Sequence, residues 1–204
     1  MKKILLLIAA VFVTAGLCAQ SDVQIKARIN KVARDMRTMQ CDFVQTKILR
    51  MLNDKMVSTG RMYYKQGGLL RWEYTRPYSY VFIVNGNQVA VRNAKRNDVI
   101  DVNKSKMFKE IARIMMNSVV GKCINDSRDF KTSISTTSAE WIATLVPQKR
   151  GMRSMFQKIV LHFNRSRSMV SQVDMFEKNG DRTIIVLKNV EVNKNISSGV
   201  FSVR

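Results

Sequence analysis

From Cys41 to Val91, apolar and polar residues alternate in short runs separated by turn residues. The runs read Cys-Asp-Phe-Val-Gln-Thr-Lys, Thr-Gly-Arg-Met-Tyr-Tyr-Lys, Leu-Leu-Arg-Trp-Glu-Tyr and Tyr-Val-Phe-Ile-Val-Asn-Gly. A period of two sends successive side chains to opposite faces of a strand. The spacing predicts strands near 42–51, 56–65, 69–75, 79–84 and 88–93, with a weaker one near 98–102. Gly67-Gly68 and Asn85-Gly86 mark hairpin turns. Leu70, Trp72 and Tyr74 share one strand face, with Arg71 and Glu73 on the other. Met62 and Tyr64 share a face, as do Phe82 and Val84.

The period is helical on either side of this block. Ser21-Asp22 is a good N-cap, and Ile25, Ile29, Val32, Met36 and Met39 follow at helical spacing, which predicts an amphipathic helix to about Gln40. Ser105 can cap a second helix carrying Met107, Phe108, Ile111, Ile114, Met115 and Val119, with Gly121 as its stop. Strands then resume near 129–136, 139–146, 155–163, 169–177 and 182–192, with turns within Ser133–Ser138, at Pro147–Gly151, at Arg165–Ser168 and at Asn179-Gly180. About eleven strands and two helices result. Two helices cannot cover both faces of so long a sheet, so the sheet must curl. The expected fold is mainly β (α+β): an incomplete antiparallel half-barrel with an apolar concave side and helices across its mouth.

The first residues set the compartment. Met1-Lys2-Lys3 is a charged leader and Ile4–Val13 an apolar run too short to span a bilayer. Thr14, Ala15, Gly16, Cys18 and Ala19 follow, as in a secretory signal peptide. Cleavage is expected after Cys18 or Ala19, giving a signal peptide over 1–19 and one exported domain over 20–204. Lipidation of Cys18 is the rival reading, but Leu17 is bulky where a lipoprotein signal has a small residue. Cys41 and Cys123 then remain, either as a disulfide or as two buried thiols.

Formal net charge is +20, and loss of Lys2 and Lys3 leaves +18. The basic residues are scattered, which suits a solvated surface or contact with an anionic membrane. An exported protein rarely meets nucleic acid, so none is expected as a partner. Catalytic constellations are missing. His162 is the lone histidine, there is no Gly-x-Ser-x-Gly elbow or phosphate-cradling glycine loop, and no metal-ligand spacing occurs. No enzyme activity, cofactor or metal is expected. Thirteen methionines and the aromatic strand faces point instead to binding of flexible apolar guests.

An ordered series of residues carries a family resemblance. Phe43-x-Gln45, Gly60 before Met62-Tyr63-Tyr64-Lys65, Arg71-Trp72-Glu73-Tyr74, Pro77 and Val84-Asn85-Gly86 resemble the N-terminal half of the outer-membrane lipoprotein carrier family, LolA. Asp174, Gly180, Thr183, Asn189, Asn193 and Phe201 fall where that family has its closing hairpin and tail. The resemblance implies a monomeric periplasmic chaperone with an unclosed eleven-stranded barrel and a helical lid. It would take acylated lipoproteins from an inner-membrane ABC transporter and pass them to an outer-membrane receptor. The lipid-binding residues expected on this basis are Met62, Tyr64, Leu70, Trp72, Tyr74 and Phe82 on the strands. Ile29, Val32, Met36, Ile111, Ile114 and Met115 are expected on the helices. A LolA-like carrier or sensor of another amphiphile or anionic lipid is the alternative, and a packed protein-binding module a third. One position departs from the family: a lid-gating arginine is replaced by Gln66, so Lys65 or Arg71 substitutes or the lid is held differently.

Overall fold

In the computed structural model, residues 21–101, 113–114, 116–118, 120–125 and 127–203 are described. Helix α1 (Asp22–Asp35) leads into β1 (Thr38–Leu49), β2 (Asp54–Lys65), β3 (Leu69–Arg76), β4 (Tyr80–Asn85), β5 (Gln88–Asn93) and β6 (Asn97–Asp101). A 3-10 turn (Lys122–Asn125) precedes β7 (Phe130–Thr136), β8 (Glu140–Pro147), the short helix α2 (Arg150–Met155), β9 (Phe156–Asn164), β10 (Met169–Glu177) and β11 (Arg182–Val192). A second 3-10 turn (Ser198–Phe201) lies in the C-terminal tail.

All eleven strands form one antiparallel sheet in the order β6-β5-β4-β3-β2-β1-β11-β10-β9-β8-β7. Chain order is preserved except at one place, where the last strand returns to pair with the first: Phe43 lies opposite Leu187 and Gln45 opposite Ile185. β6 and β7 are edges that do not pair with each other, so the barrel stays open. Gly60 is required where Phe43 crosses it. A Cβ there would meet Glu73 O at 1.9 Å and the Phe43 ring at 2.6 Å.

The first helix is shorter than its periodicity suggests. Ser21 Oγ accepts from Gln24 N at the predicted cap, but the helix ends at Asp35 and Met36 is already extended. A polar clamp sets that end. Asn193 Oδ1 accepts from Arg37 N at 2.8 Å, and the Thr38 hydroxyl donates to Lys194 O at 2.6 Å. β1 therefore begins at Thr38, four residues before the expected start, and Met39 faces the core from a strand rather than a helix. α2 occupies part of a predicted turn. Six residues are too few to show a helical period, and only Met152 of them is buried. Residues 113–114 and 116–118 are helical, as expected for the second helix, and Gly121 stops it at φ 76°. The rest of that helix, with Ile111 and Met115, lies outside the described residues.

The sheet also has apolar ground on its convex side. Tyr80–Val84 is a continuous apolar run, which suits a strand buried on both faces. Val81, Ile83 and Ala90 form a small cluster there with Val203. The tail is fastened over this patch by three side chains: Arg71, Asn85 and Arg92 donate to the carbonyls of Val200, Phe201 and Ser202.

Candidate functional site

Strand register sorts the concave face into rows. Met39, Tyr64, Leu70, Val84 and Val89 line up across five strands; Cys41, Met62, Trp72, Phe82 and Val91 form the next row. Phe43 and Tyr74 flank Gly60 in a third. The Phe43 ring centre lies 4.5 Å from Trp72 and 5.2 Å, edge-on, from Tyr74, an arrangement that favours aromatic pairs. Met62 and Leu70 are fully buried, and Trp72, Tyr64 and Phe82 nearly so.

The other half of the sheet continues this surface. Trp141, Ala143 and Leu145 of β8 face Phe163, Leu161 and Ile159 of β9, and Val173 of β10 lies between Leu161 and Ile185. With the residues above they make one apolar cluster. Ile25, Ile29 and Met36 of the α1 segment are buried in the same cluster, and Val32 and Ile114 pack against it half-buried. All ten predicted lining residues within the described part thus meet on one face. The C-terminal half of the lining was missed. Trp141, Phe163 and Leu161 show the same alternation, but which face points inward depends on a register that links β11 to β1.

Polar groups on this face are few. The Tyr74 hydroxyl donates to Gln45 Oε1 at 2.9 Å. Burial raises its pKa, and the Trp72 indole opposes part of that rise, although the two groups do not align as a hydrogen bond. Trp72 Nε1 and Trp141 Nε1 are both buried without a hydrogen-bond partner among the described residues. Cys41 and Cys123 are free and buried, which decides between the two readings of these residues. Burial, with a smaller push from Asp42, drives the Cys41 thiol up to about 12, so it stays protonated and inert.

The charged residues of interest lie elsewhere. Arg71 is on the convex side, bound to Glu73 at 2.9 Å and to the tail. Gln66 is exposed. Asp129, a buried carboxylate, pairs with Arg113 of the second helix and, at 2.7 Å, with Lys149. His162 is half-buried on the convex side, with Nδ1 3.0 Å from Glu140 Oε1 and Nε2 3.6 Å from Asp174 Oδ2. Among the described residues no group of three His, Cys, Asp or Glu could hold a metal, and no helix is long and apolar enough to cross a membrane.

Similar proteins fit this geometry. The sequence profile of the family described as outer membrane lipoprotein carrier protein LolA matches residues 34–204. An outer-membrane lipoprotein carrier protein of Pseudomonas fluorescens is 21% identical over 98% of this chain and 94% of its own length. One from Chromobacterium violaceum is 21% identical over 99% and 94%. Among solved structures, a DUF1329 family protein from Desulfovibrio piger superposes with a TM-score of 0.50 at 12% identity, covering 87% of this chain and 94% of its own. The half-barrel, its inward aromatic rows and the profile match agree, and the chain belongs to the LolA family of outer membrane lipoprotein carrier proteins.

Proposed function

We propose that this protein is a periplasmic carrier that holds the acyl chains of lipoproteins and ferries them from the inner to the outer membrane. The observation that carries the reading is the concave face. One apolar cluster extends across it from Val89 on β5 to Ile134 on β7, in a sheet whose edges never close. Each methylene moved out of water is worth about 0.8 kcal/mol, so a chain of about fifteen methylenes carries roughly 12 kcal/mol against crossing water alone. A soluble carrier has to cover such a chain and still release it. An open sheet under separable helices can do both. The binding residues are Met62, Tyr64, Leu70, Trp72, Tyr74 and Phe82, together with Ile29, Val32, Met36, Ile111, Ile114 and Met115 of the helices.

In this reading the protein is a monomer without catalytic activity, exported after loss of residues 1–19. It is loaded by an inner-membrane ABC transporter and unloaded at an outer-membrane receptor or directly on an anionic surface. The test is to extract lipid from protein purified after native export and to titrate it with a fluorescent fatty acid. Co-purifying acyl lipid and saturable displacement are expected, with binding abolished by Trp72→Asp and unchanged by His162→Ala. Absence of both lipid and displacement would sink the reading.

A further inference from the structure

We propose that Trp72 and Trp141 are carbonyl-recognising residues, whose indole N–H groups make the site select lipids with ester- or amide-linked chains over lipids that offer hydrocarbon alone. The inference rests on the carrier reading above and specifies what the same face recognises. These are the chain's two tryptophans, and both turn toward the concave cluster from opposite sides of β1. Trp72 is 3% exposed and Trp141 1%. Each Nε1 is buried and makes no hydrogen bond to the described residues, the Tyr74 hydroxyl beside Trp72 being out of alignment with it.

Buried N–H donors are almost always paired, and an unpaired one in apolar surroundings is destabilising. A phenylalanine, though smaller, would supply an aromatic ring there without that cost. Two such donors on one otherwise apolar face therefore point to an acceptor that arrives with the cargo. The acceptor's charge can also be argued. In their strand rows the two indoles are flanked by Met62 and Phe82 and by Thr136 and Phe163, none of them a cation. The lysine on the same face, Lys47, is already bound to Glu177 at 3.0 Å and Thr183 lies beside that pair. A carboxylate placed at either indole would be desolvated without a counter-charge, whereas a neutral carbonyl needs only the donor. The ligand class is thus an acyl chain attached through a neutral ester or amide.

The experiment compares a diacylglycerol with its dialkyl ether analogue of equal chain length, both displacing the same fluorescent probe from the native protein. Preference for the ester by about tenfold is expected, the discrimination that one hydrogen bond of ordinary net strength supplies. The double variant Trp72→Phe/Trp141→Phe should bind the ester and the ether with equal affinity, whatever its overall affinity for lipid. In native protein labelled with nitrogen-15, the two indole N–H protons should move downfield, as on hydrogen bonding, with the ester lipid and not with the ether, a readout that needs no variant. Equal native affinity for the two lipids, unmoved indole peaks, or an equal loss of both lipids in the variant overturns the proposal. Binding of neither lipid overturns the carrier reading, and this inference with it.

Discussion

At the scale of single residues, burial controls the chemistry. Cys41 sits in the second aromatic row with its thiol pushed up to about 12 from an ordinary value of 9.0. Tyr64, Tyr74 and Tyr80 are raised as well, each chiefly by burial. An acid whose folded pKa is raised keeps its proton in the native state after the unfolded chain has lost it. Stability is therefore intact below about pH 9 and falls as pH rises above it, by up to about 1.4 kcal/mol per unit for one group. Urea midpoints measured from pH 8 to 11 should decline from about pH 9, and Cys41→Ala should flatten the first part of that decline. A flat profile would contradict the burial assigned to these groups. Much of this row was legible in sequence, because Cys41, Phe43, Met62, Trp72 and Tyr74 keep strict alternation. Trp141 was not, since its inward direction follows from pairing with Phe163 and not from anything local.

Elements show where local pattern and tertiary demand part company. Met36 and Met39 fit a helix by spacing, yet the Asn193 clamp ends α1 at Asp35 and gives Met39 to β1. A three-residue step can serve either element when both positions face the same core. Asp129 pairs with Arg113 of the second helix and with Lys149 at the start of α2. Removing the charge of a buried, paired carboxylate weakens both of these ion pairs. Asp129→Asn should raise amide hydrogen exchange of residues 113–125 about tenfold while leaving the β1–β2 pairing unchanged, a local opening rather than a global one. Equal acceleration throughout would make Asp129 a general stability residue and remove it as the tether of the helical cover. No sequence signal marked it, because Arg113, Asp129 and Lys149 meet only in the folded chain.

For the whole molecule, the organising fact is a sheet that curls without closing. Strand count and turn positions were legible because hairpins are local and their glycines explicit. The return of β11 to β1 was not, since it joins residues more than a hundred positions apart. The tail over Val81, Ile83 and Ala90 was equally hidden, although the unbroken apolar run of β4 is its trace in the sequence. Both tryptophans lie on the concave side, so their fluorescence reports on that face alone. The most direct measurement is a titration with a diacyl lipid brominated along its chains, which quenches only the indoles it touches. Saturable quenching of both tryptophans is expected, and an unbrominated lipid should reverse it by competition. Lipid binding that leaves tryptophan emission unchanged would place the acyl chains elsewhere and contradict the account.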